Sequence, residues 1–132
     1  MPQSPHPAGE AGEKLAADFL GENGYKILQR NYRARSGEID IIAFEGGDVV
    51  FVEVKSGASA LFAAPETHVD RIKQRHVSQA AIEFCARKKL QNVNCRFDVV
   101  SVVMPSEGQP SFELYRSAFP LRLARRQRYA AP

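Results

Sequence analysis

Between residues 8 and 23 the apolar side chains fall at Ala8, Ala11, Leu15, Ala16, Phe19 and Leu20, the three-and-four spacing of one helix face. Gly24 stands where such a helix needs a left-handed closing residue. Tyr25 to Tyr32 then reads as a strand. From Gly37 to Lys55 two β-branched and aromatic runs meet at Gly46-Gly47, a dipeptide that accepts the positive φ angles of a tight hairpin. Counting outward from the glycines pairs Ala43 with Val50, Ile41 with Val52 and Ile39 with Val54 on a wholly apolar face. The other face pairs Phe44 with Val49 and Ile42 with Phe51, then Asp40 with Glu53 and Glu38 with Lys55. Pro65-Glu66-Thr67 opens the longest helix, from about His68 or Asp70 to Lys89. Val69, Ile72, Val77, Ala80, Ala81, Phe84 and Cys85 form its apolar side, with Arg71, Lys73, Arg75, Arg87, Lys88 and Lys89 in water. Cys95 to Met104 is dense enough in apolar residues for a central strand, and Ser111 to Phe119 returns as the last one. Helix, three strands, helix, two strands predicts an α/β sandwich, a mixed five-stranded sheet flanked by helices.

Composition adds boundaries to this pattern. A chain of 132 residues, 44% apolar and 25% charged, suits one small domain. Residues 8–119 are expected to fold, residues 1–7 to be a flexible N-terminus and residues 120–132 a basic tail. The net charge of +3 conceals an uneven distribution. From Arg116 onward there are five arginines and no acid, so the remaining 13 basic and 15 acidic groups balance at −2. The tail arginines suit phosphates or anionic lipid, and a solubilising terminus is the plainer reading. No stretch approaches the roughly 18 apolar residues of a membrane span, and no signal peptide precedes the domain, so a cytoplasmic protein is expected. Two cysteines, Cys85 and Cys95, cannot complete a zinc site and are expected to be reduced.

The candidate chemistry lies at the open end of the hairpin. Carboxylates directly opposed across a strand pair have Cβ atoms roughly 5 Å apart and repel one another. Mg²⁺ or Mn²⁺ between Asp40 and Glu53 would remove that repulsion, because hard cations take carboxylate oxygens and fill their shell with water and phosphate. Lys55, two residues beyond Glu53 on the same side, is placed to orient an attacking water. Arg30, Arg33 and Arg35 cluster nearby and suit phosphate contact or neutralisation of the acids. Lys73 could reach a nucleic-acid backbone or simply belong to a solvated helix face. The plainer alternative for the whole cluster is a wet strand end whose charges pair as Glu38 with Lys55 and Glu53 with Arg35. His68 and His76 lack a partner ligand at helical spacing and read as surface histidines, and Asp98 is expected in a structural role near the site, an ion pair with Arg96 being the plainer reading.

Asp40, followed after twelve residues by Glu53-Val54-Lys55, resembles the Asp…Glu-X-Lys signature of restriction-endonuclease-like nucleases, a superfamily that includes archaeal Holliday-junction resolvases. The likeness continues through Gly12-Glu13, Gly24-Tyr25, Arg30-Asn31-Tyr32-Arg33, Gly37-Glu38-Ile39-Asp40, Phe51-Val52-Glu53-Val54-Lys55 and Arg96-Phe97-Asp98-Val99-Val100. Together these are similar to the YraN-type family of bacterial proteins, over about residues 9–119. The resemblance implies the nuclease fold, a metal site at Asp40 and Glu53, and a contribution from Glu13 on the first helix. It also implies nucleic acid, DNA above all, as partner, and a homodimer if the substrate is a junction. The family often has an arginine where Gly57 stands, so that phosphate contact is not expected here. Two functions follow: a metal-dependent nuclease acting on branched or structured DNA, or a non-catalytic nucleic-acid-binding or adaptor protein on the same fold.

Overall fold

A computed structural model describes residues 7–58 and 69–123. Its elements are α1 (Pro7–Glu22), β1 (Lys26–Arg33), β2 (Glu38–Glu45), β3 (Asp48–Gly57), α2 (Arg71–Arg87), β4 (Asn94–Val103) and β5 (Ser111–Phe119). The strands lie in one sheet in chain order, antiparallel except for β3 and β4, which run parallel and are joined through α2 as a parallel pair requires. The expected α/β sandwich with a mixed five-stranded sheet is therefore the observed fold. His68, the Pro65-Glu66-Thr67 segment, residues 1–6 of the expected N-terminal arm and the tail beyond Leu123 lie outside the described residues. Among the described residues no helix is long and apolar enough to cross a membrane.

Each face of the sheet has its own core. Ala16 and Leu20 of α1 cover Ile41, Ala43, Val50, Val52, Val100 and Val102. Val77, Ala80, Ala81 and Phe84 of α2 cover Ile42, Val49, Phe51, Phe97 and Val99 on the other side. α1 ends at Gly24, whose φ of +92° lets the Tyr25 N–H return to the Leu20 carbonyl at 3.0 Å. Gly46 and Gly47, at φ +62° and +88°, make the expected two-residue turn.

The inward side of α2 differs from the predicted one. Ile72 is 61% exposed, whereas Gln74 and Ser78 are buried. Ile72 precedes Val77 by five residues, about 140° around a helix, so both cannot face the sheet. The buried polar groups have partners in the chain beyond β5. Arg122 donates from its backbone N–H to Ser78 Oγ and from Nε to Gln74 Oε1, both at 2.8 Å. The first residues of the expected tail are thus packed on α2.

Asp98 interrupts the apolar run of β4 because it is an internal hub. It is fully buried, accepts from Arg96 Nε at 3.1 Å, from the Tyr25 hydroxyl at 2.8 Å and from the Ser117 N–H at 2.9 Å. Arg96 also reaches Glu45 at 2.6 Å and Asp48 at 2.9 Å, tying the hairpin turn to β4. The expected Arg96–Asp98 pair is present, at the turn end of the hairpin.

Candidate functional site

The hairpin keeps its counted register from Glu45–Asp48 to Ile41–Val52 and stops there. Beyond that point β2 remains on β1, with Tyr32 opposite Ile39, while β3 remains on β4, with Glu53 opposite Val99 and Lys55 opposite Ser101. The two strands fork. Asp40 and Glu53 are accordingly no ladder pair, and Glu38 does not face Lys55 across one, which corrects the expectation of unbroken pairing. In place of a backbone acceptor the Val54 N–H finds Asp40 Oδ2, at 2.8 Å. Alternation breaks with the ladder: Ile41 packs beneath α1, yet Ile39 packs with Ile42, Val49 and Phe51 beneath α2. On the neighbouring strand Asn31, between the partners of Ile41 and Ile39, has a φ of +55°, a left-handed conformation that asparagine adopts more readily than most residues.

Electrostatics joins what the ladder does not. Glu53 is only 5% exposed, and its carboxyl is pushed up to about 7 by burial and then by the charge of Asp40, against the pull of Lys73 and Lys55. Burial likewise raises Asp40, with the Val54 N–H and the two lysines opposing and Glu38 adding repulsion. Glu13, also 5% exposed, is raised by burial and by Asp40, with Arg30 and Asn31 holding it down. Asp40 thus acts on both Glu13 and Glu53, linking α1 to the end of β3.

Close packing delivers Glu13. A side chain at Gly12 would put Cβ 2.6 Å from Ser56 Cβ and 2.8 Å from its hydroxyl, so only glycine lets α1 approach the end of β3. Gly37 does the same for the β1–β2 turn, which lies against His76 of α2; His76 itself is exposed.

The basic residues divide. Lys55 Nζ and Lys73 Nζ lie 3.7 and 3.4 Å from the same Glu53 oxygen, Oε2. Lys73, predicted on the wet side of α2, thus turns toward the sheet. Burial works to lower its ammonium, but Glu53, Asp40 and Glu38 together raise it above the usual lysine range. Arg30 Nη2 reaches Glu13 Oε1 at 3.5 Å. Arg33 is exposed and opposite Glu38, and Arg35 is exposed with its N–H on Glu83 of α2 at 3.4 Å. Of the three arginines Arg30 touches the acidic cluster, and Glu53 is paired by lysines in place of Arg35.

Sequence reasoning missed Asn31 and the inward turn of Lys73. Asparagine's tolerance of positive φ was a signal for the first. The second had none, because helical periodicity grades residues by polarity and a lysine always grades as outward. Among the described residues no three carboxylate, histidine or cysteine side chains converge tightly enough to hold a metal ion by themselves. A cavity of about 680 Å³ lies elsewhere, between α2 and β5, with Ile82, Cys85, Cys95, Phe97 and Phe119 in its walls. Its lining is mostly apolar and carries no paired acids. The candidate site is therefore the fork.

The family model described as "Uncharacterised protein family UPF0102" matches residues 12–102, a span that contains the fork, Gly12 and the Asp98 hub. A UPF0102 protein of Geotalea daltonii is 43% identical over 86% of this chain and 89% of its own length. One from Syntrophus aciditrophicus is 45% identical over 89% of this chain and 91% of its own. Among solved structures, Pyrococcus furiosus SfsA in complex with Ca²⁺ is 16% identical with a TM-score of 0.40, covering 89% of this chain and 64% of that one.

Proposed function

Since the chain belongs to the uncharacterised family UPF0102, of the YraN type, we propose its function from the fork itself: metal-dependent hydrolysis of phosphodiester bonds in DNA, branched or structured. The observation that carries this reading is the pair Asp40 and Glu53, two acids driven together at a strand fork and both made less acidic by burial. Such a pair is costly without a cation and favourable with one. Asp40 holds the Val54 N–H through one oxygen and, among the described residues, its second oxygen carries no hydrogen bond, so the donor set fits a hard cation whose remaining ligands are water and phosphate. Mg²⁺ or Mn²⁺ held by Asp40 and Glu53 would acidify water and offset charge on the scissile phosphate.

The remaining roles belong to the chain. Lys55 supplies an ammonium beside Glu53 that orients the attacking water. Glu13, held in reach by Gly12, keeps a proton more readily than a free glutamate and assists at the same place. Arg30, exposed along its outer part, offers donors to a phosphate, with Arg33 and Arg35 further along the same edge. The enzyme would act in the cytoplasm, and as a two-fold dimer if its substrate is a four-way junction.

Cleavage of flaps, forks, four-way junctions and single strands with Mg²⁺ and with Mn²⁺ tests the proposal. Asp40→Asn and Glu53→Gln are expected to abolish cleavage and metal binding together, and Lys55→Ala to abolish cleavage while keeping the metal, because an ammonium is no ligand. If no substrate is cut above the level of Asp40→Asn, the fold serves a non-catalytic nucleic-acid-binding protein, whose carboxylates the two lysines already neutralise.

A further inference from the structure

Lys73 does more than a solvated helix face requires. Its backbone is fixed, since its N–H is the donor to the N-cap Asp70 side chain at 2.8 Å at the start of α2. Its side chain is 42% exposed while its ammonium lies 3.4 Å from Glu53 Oε2, an oxygen on a side chain only 5% exposed. Lys55 addresses the same oxygen from β3 at 3.7 Å and is the more enclosed, at 26%. Two ammonium groups from different elements converge on one buried carboxylate oxygen, and Asp40 stands beside it.

We propose that Lys73 holds the cation's place at Glu53 in the metal-free protein and passes to a phosphate of bound nucleic acid when a divalent cation takes that carboxylate. This rests on the metal-site reading above. Charge counting motivates it. Counted as ionised, the four acids Asp40, Glu53, Glu13 and Glu38 against Lys55, Lys73 and Arg30 leave the cluster at −1; a divalent cation turns this to +1, and a phosphodiester is the anion that restores the balance. Lys73 is the group free to follow, because its side chain is the more exposed of the two lysines and its helix is anchored by a separate hydrogen bond. An ammonium is a compact donor on a flexible stem and suits a non-bridging phosphate oxygen. No bond is made or broken in this exchange, which is a competition between two cations for one carboxylate.

The test is the affinity for Mn²⁺ alone, by calorimetry, of the full chain and of Lys73→Met, Lys73→Arg and Asp40→Asn. Lys73→Met removes the competitor and keeps the stem, so Mn²⁺ should bind roughly three- to tenfold tighter, the range of a partly buried charge pair. Lys73→Arg grips a carboxylate with a fork of donors, so Mn²⁺ should bind more weakly than to the unaltered chain. The two variants move in opposite directions, a result that a merely structural lysine would not produce. With Mn²⁺ present, Lys73→Met should also bind a single-stranded oligonucleotide several-fold more weakly. Mn²⁺ affinity unchanged or weakened in Lys73→Met overturns the exchange, and if that variant does not fold, unaltered affinity in Lys73→Arg does the same. Asp40→Asn separates the two ideas: retention of Mn²⁺ binding there defeats the metal site itself.

Discussion

Glu53 has a pKa of about 7 in the folded protein against 4.5 for the free side chain, so the folded state holds that proton more tightly than the unfolded one. The stability this supplies is complete below the unfolded value and is lost as pH rises through the folded one. Metal-free protein should therefore lose roughly 2–3 kcal/mol of unfolding free energy between pH 5 and pH 8. The raised Asp40 and Glu13 shift in the same sense and add to the fall. Urea denaturation in chelator at the two pH values measures it. Glu53→Gln should flatten the difference, and added Mn²⁺ should restore stability at pH 8; a profile as steep in Glu53→Gln as in the unaltered chain would place the buried proton elsewhere. At this scale Asp40, Glu53 and Lys55 were legible because a strand pair with acids at one end breaks an otherwise apolar pattern. The inward reach of Lys73 was not legible, since nothing in a helical repeat tells a lysine that solvates a face from one that reaches round it to a carboxylate.

Elements meet where glycine permits, and α1 contains two contrasting cases. A Cβ at Gly12 would collide with Ser56, whereas at Gly21 it would meet nothing within 4 Å. Gly21→Ala should stabilise by about 0.5 kcal/mol through helix propensity and reduced unfolded-state freedom. Gly12→Ala gains the same term and loses more to overpacking, for a net destabilisation of about 1–3 kcal/mol. It should also move Glu13 and so lower any cleavage beyond what its stability explains. Denaturant midpoints of the two variants decide it; equal stabilisation would mean that α1 does not press on β3. The hairpin shows where element-level reading reaches its end. Two glycines and period-two alternation suffice down to Ile41 and Val52, because each step assumes the previous rung. The fork follows from competition: β2 keeps β1, β3 keeps β4, and the Asp40 carboxylate outbids a carbonyl for the Val54 N–H. Only a long-range partner, β4, decides that, and its parallel pairing is invisible in local sequence.

The bonds that hold the whole molecule run away from its candidate chemistry, from Asp98 opposite Val52 to the hairpin turn. Asp98 connects the link between α1 and β1, the hairpin turn, β4 and β5 through Tyr25, Arg96 and Ser117, and removing one member of a buried pair strands the other. Asp98→Ala should cost about 3–5 kcal/mol and broaden or abolish the cooperative transition, with no metal dependence. The chain's other long-range device is its C-terminal segment beyond β5. Arg122 is bound to Gln74 and Ser78, while Arg125, Arg126 and Arg128 follow with no acid among them. Two truncations separate packing from charge. Ending the chain at Phe119 removes the partners of two buried polar groups and should cost about 1–3 kcal/mol per unsatisfied group, seen as a lower thermal midpoint. Ending it at Leu123 keeps Arg122 with its two acceptors and removes the three later arginines. If the last three arginines contact phosphates, that shorter loss still weakens nucleic-acid binding at low salt, because each contact releases condensed counterions. The slope of log affinity against log salt should then become shallower by about 2–3, near 0.7–0.9 for each arginine removed. A salt titration of oligonucleotide binding for the full chain and the Leu123 truncation measures that slope, and identical slopes would show that the three arginines never touch the nucleic acid.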